Sequence, residues 1–224
     1  MQRYIAQRLA VMSDFWITNR QASAQWLRRF AGDKPNAVLP VFSTVGEMPT
    51  FLFERASTIV IFGSAALRTA AYRAAGSVLF SWARERGFEL HDIGPIINDP
   101  ILSSALTNAG VVQHGRLEAA EVSKQLSNAM LGILAYPVDY VAKSSVFAAY
   151  CAHGVCPVLI SKHYAPSDGL MAGTHYLAGL PLGATQHGMV RNIGSAAWNW
   201  YQPHRITAHV NTLKRLLSEV GTAC

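Results

Sequence analysis

Ala142-Lys143-Ser144-Ser145 places a cation and two hydroxyls directly before an apolar helical run and shortly after an apolar strand pattern. At the carboxyl end of a parallel strand, such a turn points free helix N–H groups at an anion, and Lys143 adds a point charge suited to a diphosphate. The same residues also fit a plain helix start, with Ser144 or Ser145 as the N-cap. Phe62-Gly63-Ser64 with Arg68 repeats the arrangement of strand end, glycine, helix start and a cation one turn in. The glycine there either lets a phosphate approach the backbone or serves an ordinary strand–helix turn. Gly115 follows a third strand pattern, residues 111–114, with His114 beside it as either a ligand contact or a structural histidine.

Other chemistry finds little support. His153, His175, His187 and Asp168 are not linked by any metal-ligand spacing, so no metal site is expected. Cys151 and Cys156 sit four residues apart in an apolar segment and, with Cys224, read as thiols in a reducing compartment. No G-x-G-x-x-G follows a strand, which disfavours a dinucleotide site. No G-x4-G-K-[ST] or G-x-S-x-G occurs either, which removes P-loop and α/β-hydrolase chemistry.

The elements that must position these residues follow from periodicity. Residues 2–12 carry Tyr4, Ile5, Leu9 and Met12 at helical spacing. A short strand at 15–18 precedes a helix capped by Asn19 or Ser23 and stopped by Gly32 and Pro35, and residues 37–42 form a second strand. From residue 58 the pattern is regular: strands at 58–62, 88–93, 111–114, 131–136 and 155–160 alternate with helices at 65–86, 101–108, 117–129 and 144–153. Strands alternating with helices specify a parallel sheet with right-handed crossovers, and TIVIF at 58–62 has the fully apolar character of a strand covered on both faces. The fold class is therefore α/β, a Rossmann-like doubly wound sheet over roughly residues 50–200. Loops are expected to dominate from 165 to about 190; then Trp198, Trp200 and Tyr201, expected to pack inward, precede a closing helix at 206–220.

Half of the 224 residues are apolar and 14% are charged, which excludes a disordered chain. Nineteen Lys and Arg against thirteen Asp and Glu give +6, with Arg3, Arg8, Arg20, Arg28 and Arg29 crowding the start. That excess suits a mildly basic soluble protein, or attraction to nucleotide diphosphates or an acidic membrane face; no nucleic-acid-binding signature is present. The first residues lack a signal-peptide core, and no run reaches about 18 apolar residues, so a cytoplasmic protein is expected.

The succession of strand, Gly63-Ser64 and Arg68-bearing helix, then His91-Asp92-Ile93-Gly94-Pro95, Gly115-Arg116-Leu117 and KSSVFAAYCAHGVCPV, resembles the C-terminal domain of GT-B glycosyltransferases. The likeness implies a nucleotide-sugar donor held by the Rossmann-like domain at residues 49–203. Residues 1–48 would be a remnant of the N-terminal acceptor domain plus the interdomain linker, and residues 204–224 a crossing helix. It also implies metal-independent transfer with no cofactor beyond the nucleotide-sugar substrate. The donor would be held by Gly63, Ser64, Arg68, Gly115, Lys143, Ser144 and Ser145, with Glu47 at the interdomain cleft. The E-x7-E pair of many retaining members is absent, since Val141 or Ala142 and Ala149 stand in its places. Only about forty residues precede the linker, so a donor-binding subunit served by a separate acceptor-domain protein is the alternative, and a sugar-nucleotide epimerase ranks lower.

Overall fold

A computed structural model describes residues 2–183 and 187–221 of the chain. The first unit is built from α1 (Gln2–Met12), β1 (Trp16–Thr18), α2 (Gln21–Ala31) and β2 (Asn36–Val38). β1 and β2 pair in parallel, and α2 crosses between them over a small core of Ala10, Trp16, Ala24 and Ala31. The second strand stops at Val38, well short of residue 42, because Pro40 has no N–H to donate to a ladder. Neither Asn19 nor Ser23 caps α2; Arg20 holds the cap position without a side-chain bond, and Asp168 accepts from Gln21 N at 2.7 Å instead.

The second unit is a six-stranded parallel sheet of order β5-β4-β3-β6-β7-β8. Its strands are β3 (Ala56–Phe62), β4 (Glu89–Ile93), β5 (Val112–Gly115), β6 (Ala129–Ala135), β7 (Cys156–Ile160) and β8 (Leu177–Ala178). The connecting helices are α3 (Ala65–Ala75), α4 (Val78–Glu85), α5 (Pro100–Asn108), α6 (Ala119–Asn128) and α7 (Ser145–Ala152), followed by α8 (His187–Tyr201) and α9 (Ile206–Gly221). The single helix expected over 65–86 is two, because Gly76 turns the chain at φ 67° and its N–H closes α3 on Tyr72 O. α8 and β8 lie where loops were expected; the glycines of that region do not interrupt α8, since Gly194 packs inward there.

Alternation along the strands builds two cores. Ile59, Ile61, Leu131, Ile133 and Val158 face α3, α4, α5 and the start of α8. Val60, Ile93, Leu134 and Leu159 face α6, α7 and the end of α8. Coverage of both faces is why these strands read as unbroken apolar runs rather than alternating ones. α7 is buried from Val146 to Ala152, so it shows almost no amphipathic signal. Trp198 and Trp200 pack edge-on against Phe51 and Phe147, and Trp200 Nε1 donates to Asp168 O at 3.1 Å. Cys151 and Cys156 are free, buried thiols, and burial pushes both up in pKa; Cys224 lies outside the described residues.

Candidate functional site

The chain leaves β3 toward α3 on one face and leaves β6 toward α7 on the other, so the strand order reverses between β3 and β6. A crevice outside the carboxyl ends of the strands is expected at such a switch point. Here it is opened by Tyr150. The β3–β6 ladder ends at Val60–Gly132, and beyond it the Tyr150 hydroxyl stands between the strands. That hydroxyl accepts from Phe62 N at 3.3 Å and reaches the carbonyls of Ile133 and Val60 at 3.1 and 3.2 Å. Gly132 makes this approach feasible, since a Cβ there would lie 2.7 Å from the Tyr150 ring.

Two helix starts converge on the crevice. Gly63, at φ 131°, ends β3, and a Cβ on it would stand 3.1 Å from Val146 Cγ2 in the first turn of α7. The segments Gly63-Ser64 and Lys143-Ser144-Ser145 therefore adjoin in space, eighty residues apart in the chain. Ser64 caps α3 by accepting from Leu67 N at 3.3 Å, and Ser144 caps α7 by accepting from Phe147 N at 3.2 Å. Both hydroxyls are thus committed to the helix starts, while Ser145 and Lys143 face solvent. Next along the edge, Gly63 N donates to Ile93 O at 3.1 Å and Gly94 N to Gly115 O at 2.8 Å, so glycines with positive φ end β3 and β5 and follow β4. Gly115 sits two strands out from β3, away from Lys143.

Lys143 has company that the linear sequence did not reveal. Its Nζ lies 6.0 Å from the Tyr140 ring centroid, and the Arg20 guanidinium lies over the same ring at 3.9 Å. Among the described residues neither cation is in an ion pair. A cavity of ≈ 280 Å³ opens at the ends of β6 and β7, lined by residues 135–139 and 160–163. Lys162 and His163 are exposed on its rim together with Asp139. Arg20 arrives from the first unit, so no local motif could have grouped it with Lys143, and Lys162 reaches the cavity from the end of β7. Only the strand-end position of Ser161-Lys162-His163 was available as a signal.

Two expected ligand contacts have other work, and both expectations are corrected. Arg68 is only 1% exposed; its guanidinium pairs with Asp92, donates to Pro95 O, and places Nε 3.1 Å from Gly63 O. Tyr72 Oη donates to the other Asp92 oxygen at 2.9 Å. Burial pushes the Asp92 carboxyl up in pKa, with Arg68 and Tyr72 opposing. A guanidinium with this many partners braces the turns after β3 and β4 and does not reach an anion. Glu47 likewise accepts from Tyr201 Oη at 2.7 Å, Ile206 N at 2.9 Å and Arg205 Nε at 3.1 Å. It latches the segment 39–48 to the start of α9, away from the open edge. Met48 N, beside it, donates to Ala152 O at the far end of α7. Glu47→Ala is expected to lose about 2 kcal/mol, a fall of roughly 4–8 °C in melting temperature, with nucleotide affinity unchanged. Scanning calorimetry beside a binding titration checks both halves.

His114 and His153 have partners within the fold. His114 Nε2 lies 3.0 Å from His91 Nδ1, and burial followed by the His91 charge lowers the His114 pKa. His153 bonds Ala149 O through Nδ1 and Ser123 Oγ through Nε2, both at 2.8 Å, and burial lowers its pKa too. Among the described residues no group of three His, Cys, Asp or Glu is placed to hold a metal. At the opposite, amino edge of the sheet a cavity of ≈ 240 Å³ contains Arg55, which donates to the carbonyls of Leu126, Ser127, Ala129 and His153. Burial lowers the Arg55 pKa to about 10. No described helix is long and apolar enough to cross a membrane.

No protein-family model and no curated protein matches the chain. Solved structures do. The pneumococcal O-GlcNAc transferase GtfA, in complex with UDP and GlcNAc, superposes with a TM-score of 0.63 at 10% identity, over 97% of this chain and 47% of its own. The GtfA/B complex gives 0.63 at 14% identity, over 96% and 47%. TarM from S. aureus, in a complex that includes UDP, gives 0.62 at 13% identity, over 96% and 46%. The chain thus spans about half the length of the solved structures it matches. Its fold is the Rossmann-like α/β architecture of GT-B glycosyltransferases, as the resemblance implied.

Proposed function

We propose that this chain binds a nucleoside-diphosphate sugar at the carboxyl edge of its sheet and serves as the donor half of a glycosyl transfer. One observation carries the reading: Arg20 and Lys143 share the ring of Tyr140 just before the start of α7, while Lys162 lines an open cavity at the neighbouring ends of β6 and β7. A diphosphate is the anion best matched to clustered point charges backed by helix N–H groups. The cavity at the ends of β6 and β7, walled by Tyr136, Pro137 and Val138, offers the apolar surface a nucleobase needs. Gly63 keeps the space beside α7 clear for the diphosphate, with Ser145 as a hydroxyl contact. Ser64 and Ser144 contribute through the helix starts they cap, and Gly115 borders the same edge. The fold likeness supports this reading, and two of the matched proteins were solved in complex with UDP.

The chemistry available to these residues is electrostatic. Cations and helix dipoles fixed around a diphosphate stabilise the charge that builds on it as the sugar departs. Among the described residues the carboxylate lining the cavity is Asp139, on its rim, and an acceptor-activating base is assigned to the acceptor side of the reaction. Titration of the folded chain with UDP, GDP and ADP by calorimetry tests the proposal. Saturable binding of at least one, weakened by added salt, is expected. Absence of heat with all three, from a chain shown folded by circular dichroism, overturns it.

A further inference from the structure

The cavity at the amino edge of the sheet holds a cation without a counter-charge. Arg55 enters it from the segment before β3, and its Nη atoms donate to carbonyls at the carboxyl ends of α6 and α7. Helix ends of this polarity fix a guanidinium in place. Its Nε–H is buried and, among the described residues, has no partner. No carboxylate among them pairs with Arg55 either. A half-buried cation in that state gains from an anion that a ligand brings to it.

α8 supplies a second cation. His187 and Arg191 stand one turn apart on that helix, and both line the cavity. Arg191 is exposed and, among the described residues, is in no ion pair. Two glycines let these parts close on one another. A Cβ on Gly194 of α8 would lie 2.7 Å from Gly154 O. A Cβ on Gly154, at φ 65°, would lie 2.7 Å from the Phe51 ring and 2.8 Å from Arg55 Nη2.

The rest of the wall is apolar. Phe51 and Phe53 meet edge to face at 5.2 Å, and Met130 and Val190 line the cavity beside them. Its volume is ≈ 240 Å³. A void of about 150 Å³ takes a benzene ring, so by proportion this one takes about ten non-hydrogen atoms. Glu54, exposed, is the carboxylate among the lining residues, so two arginines outweigh it.

We propose that this cavity binds a small organic acid: one carboxylate on an apolar body, about ten non-hydrogen atoms in all. The carboxylate lies between Arg55 and Arg191, and the body lies against Phe51, Phe53 and Met130. A bare inorganic anion would leave the apolar wall unused. The site is at the opposite edge of the sheet from the residues proposed to hold the nucleotide, and it needs no nucleotide.

Calorimetric titration of the full chain with phenylacetate and with octanoate tests the assignment. At least one should bind with a Kd of about 1 mM or tighter, within reach of ligands of this size. Preference for phenylacetate marks a ring as the body, and preference for octanoate marks a chain; either supports the acid class. The matching neutral amides should bind about tenfold more weakly or worse. Arg191→Glu should weaken the acid about tenfold or more, and Glu54→Gln should tighten it about twofold, both being surface changes. Should Arg191→Glu fail to fold, the Met130 methyl resonance of the unchanged chain carries the test, since bound acid must shift it. No heat from either acid at about 10 mM, from a chain shown folded, overturns the proposal. So do amides that match their acids, inorganic phosphate that matches them, or an affinity indifferent to Arg191. Failure of UDP to bind would count against the donor reading alone.

Discussion

Lys143→Ala is expected to weaken UDP or GDP binding by about 10- to 100-fold, the loss of one charge-assisted contact of about 1.5–3 kcal/mol. Its melting temperature should stay within about 1 °C, because the side chain is exposed and, among the described residues, makes no ion pair. Calorimetric titration and a thermal scan on the same preparation separate the two. Equal losses in affinity and stability would make Lys143 a structural residue and remove the centre of the proposed site. Lys143→Arg should keep most of the affinity, since charge rather than a fixed fork geometry is what the position supplies.

The opposite signature is expected at Arg68. Arg68→Ala leaves Asp92 buried without its counter-charge and frees the Pro95 and Gly63 carbonyls from their donor. Removing one partner of a buried pair costs about 3–5 kcal/mol, a fall of roughly 10 °C in a chain of this size. Nucleotide binding should fall with it, because the turns after β3 and β4 lose their brace. The double change Arg68→Met with Asp92→Leu should recover much of the stability, as apolar replacements of buried pairs often do. If Arg68→Ala instead abolishes nucleotide binding with the fold intact, Arg68 is a ligand after all and its buried pairing is not what holds the edge.

The two residues looked alike in the sequence: each is a cation just after a strand, close to a glycine or serine at a helix start. Their contrast comes from helix geometry. Arg68 is four residues into α3, which turns it back over the strand ends toward Asp92 on β4. Lys143 precedes the cap of α7, where the chain is still outside the helix and its side chain points to solvent. Glu47 shows the same limit. Its place between two units read as a cleft, but the partners that decide its role, Tyr201, Arg205 and Ile206, lie more than 150 residues further along the chain.

What the sequence by itself determined was the parallel sheet from β3 to β7 and the turns at its carboxyl edge. Strands at 58–62 and 155–160 are apolar on both sides because helices cover both faces, and that pattern is local. Glycines at strand ends and serines before helices are local too, so the positions of Gly63, Ser64, Gly115 and Ser144 were legible. Helix interruptions were harder: Gly76 and the start of α8 depend on packing that periodicity does not carry. What only the tertiary structure decided was which charges remain free. Arg20 joins Lys143 at the Tyr140 ring from the first unit, while Arg68 and Glu47 are held by partners of their own. A charge is available to a ligand only when no buried partner claims it, and buried partners are brought by the fold, not by neighbours in sequence.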